Sequence, residues 1–78
     1  MDRKLKLIWD FRGPVASKTA EHHCIHLKEF AQRENLPFHN INNETISELY
    51  SIAYITVDEV DMPVYRDALK PHRGQLAK

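Results

Sequence analysis

Three histidines and the chain's only cysteine fall within five consecutive positions of "AEHHCIH", Ala20 to His26. Imidazole and thiolate are the usual ligands of zinc, and imidazole exchanges protons near neutral pH. Spacing decides which of these uses is open. At roughly 100° per residue, His22 and His26 share one flank of a helix. His23 falls beside Ala20 and Leu27 on the apolar stripe, and Cys24 lies on the stripe's other margin. The four side chains do not converge, so a site drawing on all of them is geometrically poor. The pair His22/His26, one turn apart, has the spacing that helical metal sites use. It needs a third ligand, and the candidates are His39, Asp10, His72 or a second subunit. A carboxylate between the two histidines, the arrangement that activates water, is missing; Glu21 precedes the pair instead. The plain alternative is a solvated helix flank. His23 is then a core-edge histidine with hydrogen-bonded ring nitrogens, and Cys24 a small inert core residue.

The second constellation is "WDFRGP", Trp9 to Pro14. Asp10 and Arg12 stand where a strand enters a helix. Free N–H groups at a helix N-terminus attract anions, and Arg12 offers a bidentate fork, so the Asp10–Gly13 loop is a candidate anion site. If a later strand ends beside this one, Tyr54, Thr56, Asp58 and the start of the second helix join it. Asp10, Arg12, Tyr54 and Thr56 are therefore the ligand-binding candidates. The competing reading is that Asp10 and Arg12 pair with each other or cap the helix. A single glycine here cannot wrap a phosphate chain as a P-loop does. "KPHRG" near the end repeats the Arg-Gly pair, and its His72 and Arg73 are read as solvated or as reaching a partner subunit.

These residues need elements to position them. "LKLIWDF", Leu5 to Phe11, alternates with a period of two, which predicts a half-buried strand ended by Gly13 and Pro14. From there to Asn35 the pattern is helical: Ala16, Ala20, Cys24, Leu27 and Ala31 form one stripe, with His23 and Phe30 at its margin and Ile25 pointing away. Pro14 in the first turn or Ser17 as a cap begins this helix. Asn35 suits a left-handed C-cap, and Pro37 forbids continuation. Phe38 to Asn42 is a weaker strand, "INNET" reads as a loop or hairpin turn, and "ISELY" fits strand, bulge or loop. "SIAYITV", Ser51 to Val57, is the strongest strand, with Ala53, Ile55 and Val57 on its helix-facing side. Asp58 fits an N-cap for a second helix that holds Val60, Val64, Tyr65, Ala68 and Leu69 inward and stops before Pro71. The tail adds a short last strand or frays. The order βαββα, with that final strand left open, predicts an α+β fold: a ferredoxin-like two-layer sandwich with two helices on one face of a small sheet.

The chain of 78 residues reads as a single domain, 1–78, with a modest core. One cysteine excludes an internal disulfide and suits a reducing, cytoplasmic setting. Eleven basic and eleven acidic residues cancel, which speaks against a nucleic-acid partner. The basic start "RKLK" precedes only a brief apolar run, too short for a signal peptide, and no stretch approaches a membrane span. Nothing in the sequence calls for a cofactor. Chains this short often need a partner, and the sheet face opposite the helices is expected to leave Ile8, Ile52, Tyr54 and Phe38 to water. A homodimer through Ile8, Ile52 and Tyr54 follows, with Asp10 and Thr56 facing a shared cavity. Three functions compete: a homodimeric module binding a small molecule or a partner, with an anion at the Asp10–Gly13 loop; a small dimeric enzyme with Asp10 or a histidine as acid-base and Arg12 holding an anionic substrate; and a metal-binding protein built on His22/His26.

Overall fold

The computed structural model describes residues 3–77. It is an α+β fold of four strands and two helices. Strand β1 (Lys4–Arg12) leads into α1 (Ala16–Arg33), followed by the hairpin β2 (Asn40–Ser47) and β3 (Tyr50–Asp58). A 3-10 turn, Glu59–Asp61, then enters α2 (Met62–Leu69), and β4 (Arg73–Ala77) closes the chain. The strands form one antiparallel sheet in the order β2-β3-β1-β4. Among the described residues, no helix is long and apolar enough to cross a membrane.

Local chemistry accounts for most element ends. Gly13 has φ 117°, a conformation that costs little only for glycine, and its N–H donates to Leu49 O at 2.9 Å. The β1–α1 turn is thereby tied to the β2–β3 hairpin. Helix α1 starts after Val15 without a side-chain cap, so Ser17 does not play that part. At its other end Asn35 takes φ 55°, as expected, and the N–H of Leu36 returns to Ala31 O. The predicted loop "INNET" is instead the middle of β2. Its asparagines pair through the backbone with β3, Asn42 opposite Tyr54 and Asn43 opposite Ala53. The undecided "ISELY" holds a register shift between Thr45 and Ser47, then a turn, then the start of β3. The tail forms a strand.

Alternation sends Leu7, Trp9, Ile55 and Val57 to the helix side, where they meet Leu27 and Ala31 of α1 and Tyr65 of α2. Two long-range hydrogen bonds fasten this layer. Trp9 Nε1–H donates to Leu69 O at 3.0 Å, and the Tyr65 hydroxyl donates to Pro37 O at 3.2 Å. The expected inward set of α2 is corrected at three positions: Val60 is 83% exposed, Val64 48%, and Ala68 is exposed as well. The 3-10 turn delays the helix to Met62 and shifts its phase, leaving Tyr65 as its buried residue.

The helix-free face also departs from expectation. Ile8 and Ile52, read as apolar side chains left to water, are 1% and 5% exposed within the single chain. Register sets Tyr54 and Arg73 on either side of Ile8. The Lys6 ammonium lies over the Tyr54 ring, 3.9 Å from its centroid. Long polar and aromatic side chains thus roof the small aliphatic ones, as their apolar stems allow. Phe38 is not on this face: it precedes β2 and borders Ala31, Leu36 and Pro37 at the end of α1.

Candidate functional site

The end of β1 carries the densest polar network. β4 lies antiparallel beside β1, with Arg73 opposite Ile8, so the Arg73 side chain reaches the next outward residue, Asp10. Its Nε donates to Asp10 Oδ2 at 3.2 Å and its Nη2 to Asp10 Oδ1 at 3.1 Å. From the other neighbouring strand, the Tyr50 hydroxyl donates to Asp10 Oδ1 and accepts from Arg73 Nη2 at 3.3 Å. The backbone N–H of Asp10 donates to His72 Nδ1 at 2.8 Å. Arg73 and the Tyr50 hydroxyl hold the Asp10 carboxyl below the usual carboxylate range. Asp10 is therefore an anion at any ordinary pH, with its charge compensated on the spot.

Arg12 does not pair with Asp10, as one reading expected. Its guanidinium stacks on the Tyr50 ring, 4.2 Å from the centroid, and no carboxylate among the described residues lies within salt-bridge distance of it. The turn into α1 begins directly after it. That 18-residue helix has neither a capping side chain nor an acidic residue in its first turn.

Two other candidates stand elsewhere. β3 runs antiparallel to β1, so Thr56 lies opposite Lys6 and Asp58 opposite Lys4, at the far end of the sheet from Arg12. The expectation that two helix N-termini share one sheet end is corrected accordingly. Asp58 instead meets His39, Nε2 to Oδ1 at 2.7 Å. Tyr54 shares the outward face with Asp10 but stands next to Ile8 and under Lys6. Tyr50 carried no signal in the sequence as a partner of Asp10, and Arg73 and His72 lay in a tail expected to be solvated or to reach a partner subunit. The repeated Arg-Gly pair is the one hint of Arg73, and the sequence offers His72 only as a third metal ligand or a partner contact.

The histidines divide as the wheel predicts. The rings of His22 and His26 meet edge to face, centroids 4.7 Å apart. His26 Nδ1 stands 3.4 Å from Glu29 Oε1. Among the described residues no three potential ligands group around a metal position. The proposed third ligands are engaged: His39 by Asp58, Asp10 by Arg73 and Tyr50, and His72 Nδ1 by the Asp10 N–H. His23 packs against Trp9 and Phe11, ring centroids at 4.7 and 5.4 Å. Its Nε2 is buried with no hydrogen-bond partner, against the expectation that both ring nitrogens are satisfied. Burial, with His26 and His72 nearby, pushes its pKa down, so the ring is neutral. Burial likewise pushes the Cys24 thiol up, away from reactivity.

Comparison of the chain with protein-family models, curated proteins and solved structures finds no match. The class the geometry defines is therefore a small α+β domain with an ordered polar corner at the end of β1.

Proposed function

We propose that the protein is a small homodimeric ligand-binding module that takes an anionic group at the Asp10–Gly13 corner. The observation that carries this reading is the division between the two arginines. Arg73 is spent on Asp10, so the carboxylate does not repel an incoming anion. Arg12 keeps its donors, held flat on Tyr50 beside an uncapped helix start. A guanidinium fixed by stacking loses little freedom when it binds, and helix N–H groups add favourable partial charge. Phosphate, sulfate and small carboxylates are the probes. Each should raise the melting temperature, and Arg12→Ala should weaken anion affinity about tenfold, the value of a lost charge-assisted hydrogen bond. A flat response of the wild-type protein across this panel overturns the reading.

The dimer part rests on the small core. Four of the buried apolar residues are alanines: Ala16, Ala20, Ala31 and Ala53. The helix-free face would meet its copy through Tyr54, with Ile8 and Ile52 beneath. Melting temperature should then rise with protein concentration, and Tyr54→Glu should yield monomer. Sedimentation of wild-type protein as a stable monomer at high micromolar concentration rejects the dimer.

The strand order β2-β3-β1-β4 supports a ferredoxin-like arrangement, and the single half-buried Cys24 supports a reducing cytoplasm. Catalysis by Asp10 is the weaker reading, because a carboxyl held ionised by an arginine and a tyrosine is a poor proton donor. The His22/His26 metal reading keeps its spacing but needs further ligands from a second copy.

A further inference from the structure

The chain leaves α2 through Lys70, at φ 50°, and Pro71, and β4 begins at Arg73. His72 stands just before that strand, where the ladder with β1 is out of step. Arg73 is the residue opposite Ile8, yet the His72 N–H donates to Ile8 O at 3.0 Å. Two residues of the incoming strand thus face one of β1, as in a β-bulge. Beyond Ile8 the pairing of β1 with β4 stops, and the Asp10 N–H donates to His72 Nδ1 at 2.8 Å. A side-chain nitrogen takes the place of the next backbone carbonyl.

This contact fixes the protons of the imidazole. Nδ1 accepts only through its lone pair, so the ring that makes this bond is neutral and carries its proton on Nε2. A second proton goes to Nδ1 and removes the acceptor, and a flip of the ring offers only a C–H in its place. The alternative partner is close by: His72 Nδ1 lies 3.9 Å from Asp10 Oδ2. Arg73 and Tyr50 keep that carboxylate ionised, so it stands ready for an imidazolium. Among the described residues, the other charged and titratable groups around His72 are Lys70 and Arg73 of its own segment, Tyr50 of β3 behind Asp10, and His23 of α1, whose ring packs on Phe11 as that of His72 does. About half of the His72 side chain meets water, so protons reach it without any opening of the fold.

We propose that His72 is a proton-operated clasp at the start of β4: neutral, it holds the Asp10 N–H and adds a last rung between β1 and β4; protonated, it releases that N–H and turns to the Asp10 carboxylate. The charge of Asp10 stays constant throughout, so the pH response of this corner belongs to His72. The device needs no ligand and stands whether or not an anion binds at Arg12.

The test uses the full chain, labelled with nitrogen-15 and carbon-13 for NMR. At about pH 8 the Asp10 amide nitrogen should couple across the hydrogen bond to His72 Nδ1, with the ring proton on Nε2. On titration to about pH 5 that coupling should vanish. The Asp10 amide proton and carboxyl carbon should shift at the midpoint read from the His72 ring itself. Protection of the Asp10 amide against exchange, taken relative to the unstructured rate at each pH, should fall about fivefold, the worth of one hydrogen bond. His72→Asn puts an amide oxygen near the place of Nδ1 and should keep the Asp10 protection across this range, with no midpoint. His72→Ala should lack the protection throughout. An Asp10 midpoint that follows the His23 ring, or that persists in His72→Asn, overturns the proposal. So do a ring proton on Nδ1 at about pH 8 and equal Asp10 protection in the Asn and Ala variants. The wild-type coupling and midpoint decide the matter even where a variant fails to fold.

Discussion

Tyr65→Ala is expected to cost about 3–5 kcal/mol of folding stability, a large share of what holds a domain this small together. Tyr65 is the largest fully buried side chain among the described residues and the buried residue of an eight-residue helix. Its ring packs near Phe30, centroids 5.7 Å apart, and its hydroxyl closes on Pro37 O across the end of α1. Burial, with Asp61 nearby, pushes the phenol up to about 12, so the donating hydroxyl is intact at any working pH. Truncating a buried aromatic costs about 3–5 kcal/mol. A domain of this size is stabilised by about 4–12 kcal/mol in total, at the usual value per residue. Tyr65→Phe keeps the ring and loses only the hydrogen bond, worth about 1 kcal/mol. Urea unfolding of the three proteins measures both differences. A loss under about 1.5 kcal/mol for the alanine variant contradicts the packing described for α2.

The second large effect is expected on the face without helices. Ile8→Ala should cost about 2–4 kcal/mol, the range for emptying a filled aliphatic site. On an open sheet face the same change would fall within about 0.5 kcal/mol of neutral. The difference arises because Tyr54, Arg73 and Lys6 lie around Ile8 and leave it 1% exposed. Ile25→Ala is the internal control: that isoleucine is 54% exposed on the outer side of α1. Denaturation at two protein concentrations adds a second result. If the cost of Ile8→Ala is the same at both, the site is filled by its own chain; a cost growing with concentration assigns part of the cover to a second copy. Near-neutral behaviour of Ile8→Ala at both concentrations contradicts the roof of side chains.

Much of this arrangement is legible in the residues. The alternation Leu5, Leu7, Trp9, Phe11 and the stripe Ala16, Ala20, Leu27, Ala31 belong to local periods, 2 and 3.6, which are set by backbone geometry and survive folding unchanged. Asn35 and Pro37 end α1 through φ alone, and the phase of "SIAYITV" correctly sends Ala53, Ile55 and Val57 toward the helix side. The wheel paired His22 with His26 and set Cys24 apart for the same reason. The expected weak strand from Phe38 to Asn42 caught only the first three residues of β2, and the rest escaped because its residues are chiefly polar: a strand held by backbone ladders needs no apolar side chain to exist, and asparagine favours turns only when no neighbour pairs with it. Val60, Val64 and Ala68 were misplaced because a 3-10 turn has a different pitch, and three residues of it move the helix's apolar face.

What only the tertiary structure decided is who stands beside whom across the sheet. Asp10 is 63 residues from Arg73 and 40 from Tyr50 in the chain. Strand order and register, set by the whole core at once, bring all three within hydrogen-bonding distance, and a one-residue slip would send Arg73 to the other face. The same register carried Thr56 and Asp58 to the opposite end of the sheet and released Arg12 from the carboxylate two residues before it. Periodicity states which face a residue takes. Its partner on that face is a long-range quantity, fixed by packing that no local window of sequence contains.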